Sequence, residues 1–120
     1  MSKYFHELEF KACTPSCSIS QMDSRFLVLM DELRVRCGFP LVVNCAYRSQ
    51  KYDLLKGRSG NSYHTKGRAM DIRCLDSEER AVILREALIL GLSVGVYPRF
   101  LHIDDRGNDS NGKTLVFYGY

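Results

Sequence analysis

Between Phe26 and Cys37 the apolar residues Phe26, Leu29, Met30, Leu33 and Cys37 fall at the three- and four-residue spacing of a helix with one buried face. Ser20, followed by Asp23, reads as an N-cap with an acidic first turn, and Gly38 stands where a helix should end. The pattern therefore predicts a helix from about Gln21 to Cys37. Pro40 closes the connection, and the β-branched content of Leu41–Tyr47 predicts a strand. A polar, glycine-containing loop follows from Ser49 to Thr65, with a short helical turn near Tyr52 to Leu55, and Ala69–Cys74 reads as a second strand. Asp76 and Glu79 have capping-box spacing and open a second helix, about Ser77–Leu90, closed by Gly91. Three short strands are predicted at Leu92–Tyr97, Phe100–Asp104 and Thr114–Tyr118. This order predicts an α+β fold: one small domain over residues 1–120, with a mostly antiparallel sheet flanked by helices.

Composition narrows the class. With 45% hydrophobic and 26% charged residues, the chain resembles an ordinary globular domain, which excludes disorder and coiled coil. The net charge of +3 is scattered, with no basic stripe interleaved with aromatics, so no nucleic-acid partner is expected. No stretch approaches the roughly 20 apolar residues of a membrane span. The start, Met1 to Phe10, lacks the apolar core of a signal peptide, so the chain as written is expected to remain cytoplasmic unless lysis or another route exports it. Five cysteines are an odd number and suit reduced thiols. Cys13 and Cys17 form half of a metal knuckle, but the second pair is missing: Cys37, Cys45 and Cys74 stand singly in apolar segments and read as ordinary thiols.

The chemistry concentrates in two segments. In Ala69–Cys74, side-chain alternation puts Met70, Ile72 and Cys74 on the core face and Ala69, Asp71 and Arg73 on the other. Asp71 then points toward the loop that carries His64, with Gly67 allowing a tight turn and Ala69 leaving room beside the carboxylate. In Phe100–Asp104, Leu101 and Ile103 face the core while His102 and Asp104 project together from the opposite face. If the two strands are neighbours, His64, Asp71 and His102 converge, and two imidazoles with one carboxylate form the ligand set of a catalytic zinc ion with an open position. Taken alone, each element is also compatible with a hydrogen-bonded loop histidine or a surface His-x-Asp pair. His6 lies in a different segment, and Asp105 should face away.

These residues resemble the zinc D-Ala-D-Ala carboxypeptidase and endopeptidase family, peptidase family M15, in its short phage- and bacteria-associated branch. Its motif Ser-x-His-x-x-Gly-x-Ala-x-Asp is matched from Ser62 to Asp71, its later strand histidine by His102, and its Gly-Tyr-Arg-Ser element by Ala46-Tyr47-Arg48-Ser49, with Ala for Gly. The resemblance spans the whole chain. It implies a hedgehog/D-Ala-D-Ala peptidase-like fold and one Zn²⁺ held by His64, Asp71 and His102. It further implies that Arg48 supports the substrate near the scissile bond, and that Ser62 hydrogen-bonds the substrate backbone or braces the site. The implied function is hydrolysis of D-amino-acid bonds in peptidoglycan peptides by a monomeric enzyme, as a carboxypeptidase or as a cross-link endopeptidase of the phage-lysis type.

One departure matters. Many relatives carry Glu three residues before the last zinc histidine, and Arg99 stands there. Asp104 is the substitute, either accepting a proton from the attacking water or orienting His102. Loss of the Glu also leaves open a non-catalytic zinc domain, or a phage structural or wall-binding module.

Overall fold

A computed structural model describes residues 2–119. Helix α1 (Glu7–Lys11) precedes α2 (Ser24–Cys37), strand β1 (Val42–Cys45) and α3 (Gln50–Leu55). Then come β2 (Ala69–Arg73), α4 (Ser77–Ile89), β3 (Ser93–Val96), β4 (Phe100–Asp104) and β5 (Val116–Tyr118). Single 3₁₀ turns occur at Ile19–Gln21, Tyr63–Lys66 and Arg106–Asn108. The sheet order is β1-β2-β4-β3-β5, with only the β3–β5 edge pair parallel, so this is the expected α+β fold with a mostly antiparallel sheet.

The α2 helix begins three residues later than its predicted start. Asp23, not Ser20, is its cap: Asp23 Oδ2 accepts the Phe26 amide at 2.9 Å. Ser20 is absorbed into the 3₁₀ turn, which Ser18 caps. The reason is tertiary, because the Asp23 amide donates to the Gly67 carbonyl at 2.9 Å, which holds Met22 and Asp23 extended. At the other end Gly38 closes the helix with φ +76°, as expected. The predicted turn near Tyr52 is the full helix α3, capped by Ser49, and α1 was not foreseen. Asp76 caps α4 by accepting the Glu79 amide at 2.9 Å.

The apolar side chains collect on one face of the sheet. Met70, Ile72, Val94, Leu101 and Ile103 pack there against Phe26, Met30 and Leu33 of α2 and Ile83 and Ala87 of α4, all nearly or fully buried. Cys13, Cys17 and Cys74 join this core, where sulfurs of Cys13 and Cys17 donate to backbone carbonyls. The other face of the central strands carries the polar chemistry, and the turn after α3 folds over it. Among the described residues no helix is long and apolar enough to cross a membrane.

Gly67 joins the two faces. It has φ +68°, and a Cβ there would lie 2.4 Å from the Gln21 carbonyl oxygen and 3.0 Å from the Asp23 amide nitrogen, both backbone atoms that cannot rotate away. Gly38 has the same backbone region, but a Cβ added there would meet nothing within 4 Å. Gly67→Ala should therefore cost about 2 kcal/mol or more, against about 1 kcal/mol for Gly38→Ala, read as urea midpoints at constant slope. Equal losses for the two variants would mean that the close approach at Gly67 is not tight.

Candidate metal centre

Strand register assembles the site. Cys45, Asp71, His102, Gly95 and Phe117 are successive cross-strand neighbours over all five strands. Asp71 and His102 are paired directly between β2 and β4, as the alternation argument required. His64 comes from outside the sheet, on the 3₁₀ turn Tyr63–Lys66 that Gly67 ends in the left-handed conformation. Tyr63 pins that turn: its hydroxyl donates to Asp109, and the cations of Lys66, Arg106 and Arg68 lie 4.6, 5.1 and 5.3 Å from its ring centre.

Both histidines meet one oxygen. His64 Nε2 lies 3.2 Å and His102 Nδ1 3.0 Å from Asp71 Oδ1, and the rings stand edge to face at 5.1 Å. The far nitrogen of each ring is committed to a group that can only accept. His64 Nδ1 donates to the Ala46 carbonyl at 2.6 Å, and His102 Nε2 donates to Asp104 Oδ2 at 2.7 Å. With those protons placed, the neutral rings direct lone pairs at a carboxylate oxygen. Three acceptors then face one another, an arrangement that is repulsive until a proton or a cation lies between them. Without a cation the protein answers with protons. Burial opposes charge on His64, but hydrogen bonds with Asp71 and Cys45 outweigh it and push its pKa up to about 9. His102 is raised in the same way, against its burial, by Asp104 and Asp71. Burial would raise Asp71, but its bonds to His102 and His64 hold it well below the usual carboxylate range. Nitrogen–oxygen spacings near 3.1 Å also suit a tetrahedral ion with bonds of about 2.0–2.1 Å, whose ligand atoms stand about 3.3 Å apart. Those two spacings and the donor types suit a divalent cation, and on the other side of Asp71 the sulfur of Cys45 also lies within 4.8 Å of His64 and Asp71 donor atoms.

The remaining predicted residues surround this cluster, with roles that geometry separates. Asp104 is fully buried. Its Oδ1 accepts from Arg106 N and Nε, each at 2.9 Å, and its Oδ2 from His102 Nε2 and from Arg106 Nη2 at 2.6 Å. Burial would raise its pKa, but His102 and Arg106 hold it down at about 2. No carboxylate lone pair is left for a water in the cleft, so of its two expected roles the placement matches orientation of His102 and disfavours proton acceptance. Arg99 is exposed on the turn before β4, and its carbonyl accepts the Cys74 amide. Asp105 faces away as expected, paired with Arg68 at 2.6 Å, and His6 is exposed at the start of α1. Ala69 is fully buried and stands opposite Asp104 in the register.

Ser62 and Arg48 share a partner that sequence reasoning missed. Asp53 on α3 is fully buried, accepting the Ser62 hydroxyl at 2.7 Å and the Gly60 amide at 2.9 Å. Arg48 Nε lies 2.7 Å from Asp53 Oδ1, but its N–H is not aimed at the oxygen, so this is an ion pair without a well-formed hydrogen bond. The Ser62 hydroxyl spends its proton on Asp53, which braces the loop, and its lone pairs remain open to a donor in the cleft. Nothing local marks Asp53, since a carboxylate inside a polar loop looks solvated until the chain closes around it. Arg106, two residues beyond Asp104, and Phe117 were also missed. Phe117 had a signal in Gly95, where a Cβ would strike its ring at 2.5 Å: the glycine lets that ring lie beside His102, with centres 5.7 Å apart.

The outcome is a cleft of about 310 Å³ with Asp71, His64 and His102 at its base. Arg48, Arg58 and Arg106 line it together with Ser62, Tyr97, Phe100 and Phe117, and among the described residues Asp71 is its only acidic lining residue. Burial would raise the Asp53 pKa, but the Ser62 hydroxyl and Arg48 bring it below the ordinary value. Its ionised form therefore stabilises the fold above the unfolded carboxylate pKa of about 3.9, and that stabilisation is lost as pH falls through the lower folded pKa. Asp53→Asn should cost about 1–3 kcal/mol at neutral pH, and the gap to wild type should narrow as pH drops below about 4. A pH-independent gap between their denaturation midpoints would remove the ionic role.

A family model described as Peptidase M15 matches residues 4–104, which spans the helical layer, the first four strands and the whole His64–Asp71–His102 cluster. Searches of curated proteins and of solved structures returned no match. The match covers well over half of the chain, and Cys45, His64 and Asp71, whose donor atoms could hold a metal ion, lie within it: the chain belongs to the peptidase M15 family of metallopeptidases.

Proposed function

We propose that this chain is a zinc-dependent peptidase that hydrolyses peptide bonds involving D-amino acids in bacterial peptidoglycan, with His64 Nε2, Asp71 and His102 Nδ1 as metal ligands. The carrying observation is the meeting of both imidazoles on Asp71 Oδ1 while their far nitrogens are held by acceptors. A bound Zn²⁺ supplies Lewis acidity, polarising a carbonyl and making water nucleophilic near neutral pH.

The chain's own residues do the rest. The Ala46 carbonyl and Asp104 keep each histidine in the tautomer that presents a lone pair to the cation. Arg48, steadied by Asp53, presents its guanidinium to the cleft, where it binds a carboxylate or a developing oxyanion. Arg58 and Arg106 add positive charge suited to the carboxylates of wall peptides. Tyr97 and Phe100, stacked at 4.5 Å, form with Phe117 an apolar wall that excludes water from one side. The cleft is open and has no lid segment among the described residues, which favours cross-link cleavage over trimming of a free terminus, and mass spectrometry of the new termini from digested peptidoglycan separates the two.

A second reading has a specific observation behind it. Among the described residues no carboxylate other than Asp71 lines the cleft, so a metal-binding domain without turnover is the alternative. One equivalent of zinc with no cleavage of any wall peptide would select it.

Two sets of variants test the assignment. Alanine at His64, Asp71 or His102 should each remove the single equivalent of zinc and abolish release of new termini from purified peptidoglycan. Retained cleavage by any of the three would end the proposal. Asp104→Asn should weaken zinc binding about 10–100-fold, with turnover at saturating zinc little changed. The reverse pattern, normal zinc affinity with turnover lost, would make Asp104 the proton acceptor.

A further inference from the structure

Cys45 is not among the ligands proposed above, yet it sits beside two of them. Strict alternation along β1 would send Cys45 to the same face as Val43, which is buried in the core. A β-bulge intervenes: Val43 pairs with Ile72 and Cys45 with Asp71, so β1 advances two residues while β2 advances one. The bulge re-aims Cys45 onto the face of Asp71. Its side chain is accordingly buried but absent from the apolar core that holds Cys13, Cys17 and Cys74. Its sulfur lies 3.7 Å from His64 Nδ1 and 3.9 Å from Arg48 Nη1. Donor atoms of Cys45, His64 and Asp71 all lie within 4.8 Å of one another.

We propose that Cys45, His64 and Asp71 form a second ligand set in this cleft, overlapping the His64–Asp71–His102 set and taking cations with affinity for sulfur, such as Co²⁺ or Cd²⁺. The inference rests on the reading of the cleft as a metal centre and adds a donor to it. A cation with one sulfur bond near 2.3 Å and two shorter bonds needs donor separations of about 3.3–3.6 Å. Donor atoms that already lie within 4.8 Å of one another need to close by no more than about 1 Å. Thiolate is the soft partner that nitrogen and oxygen donors lack, so the sulfur set favours the softer cations. On binding, the sulfur–metal bond forms and the thiol proton leaves to solvent. The buried position of Cys45 keeps the sulfur from being an ordinary surface thiol, and places any cation it holds against the same Asp71 carboxylate.

The test is cobalt titration of the metal-free full chain, followed by absorbance. The wild type should show the visible bands of bound Co²⁺ together with an intense near-ultraviolet thiolate-to-cobalt charge-transfer band. Cys45→Ser should lose the near-ultraviolet band and keep the visible ones, because His64, Asp71 and His102 remain. Visible bands without the charge-transfer band in the wild type would overturn this inference and leave the metal centre standing. Persistence of the band in Cys45→Ser would also overturn it, by assigning the sulfur to another cysteine. Absence of all cobalt bands from the wild type would overturn the metal-centre reading and this inference with it.

Discussion

One carboxylate oxygen governs this structure. Asp71 Oδ1 is approached by two imidazole nitrogens whose opposite sides are tied to acceptors, so the cluster is neutralised only by protons or by a cation. Such an arrangement is expensive to bury and persists only where the surrounding chain leaves the side chains no alternative. Here the central pairing of β2 with β4 supplies Asp71 and His102 from adjacent strands, and the Gly67 turn presses His64 against them. The apolar core on the reverse face supplies the burial that holds both strands in register.

Around that oxygen, the polar face is organised by three buried or nearly buried aspartates, each matched to one arginine. Asp53 meets Arg48, Asp104 meets Arg106, and Asp105 meets Arg68. Each pair fixes a different part of the site: the loop after α3, the orientation of His102, and the turn under Tyr63. A buried carboxylate with a guanidinium gains geometry more reliably than net stability, since desolvation cancels much of the attraction. These pairs are therefore best understood as positioning devices. At Asp104 the pairing goes furthest, because both carboxylate oxygens accept from Arg106 and one of them also from His102.

Much of this was legible before any coordinates. Helical spacing in α2, the Asp76 cap and strand alternation in Ala69–Cys74 and Phe100–Asp104 are local properties, and they placed Asp71 and His102 away from the core. The ten-residue segment from Ser62 to Asp71 carried the resemblance to the family, and within it the turn itself demands the glycine at 67, which is left-handed and closely approached by backbone. The start of α2 was misplaced because the competition between Ser20 and Asp23 was settled by the Gly67 carbonyl, 44 residues after Asp23.

Local patterning thus sufficed for the class of fold and the core face of each central strand, since periodicity and residue chemistry are written in neighbouring positions. It could not show that Asp104 is saturated by Arg106, that Asp53 stands behind Arg48, or that a bulge turns Cys45 toward Asp71. Each of those depends on strand register or loop closure, where one residue of slip exchanges the two faces of a strand, and only the folded chain decides it.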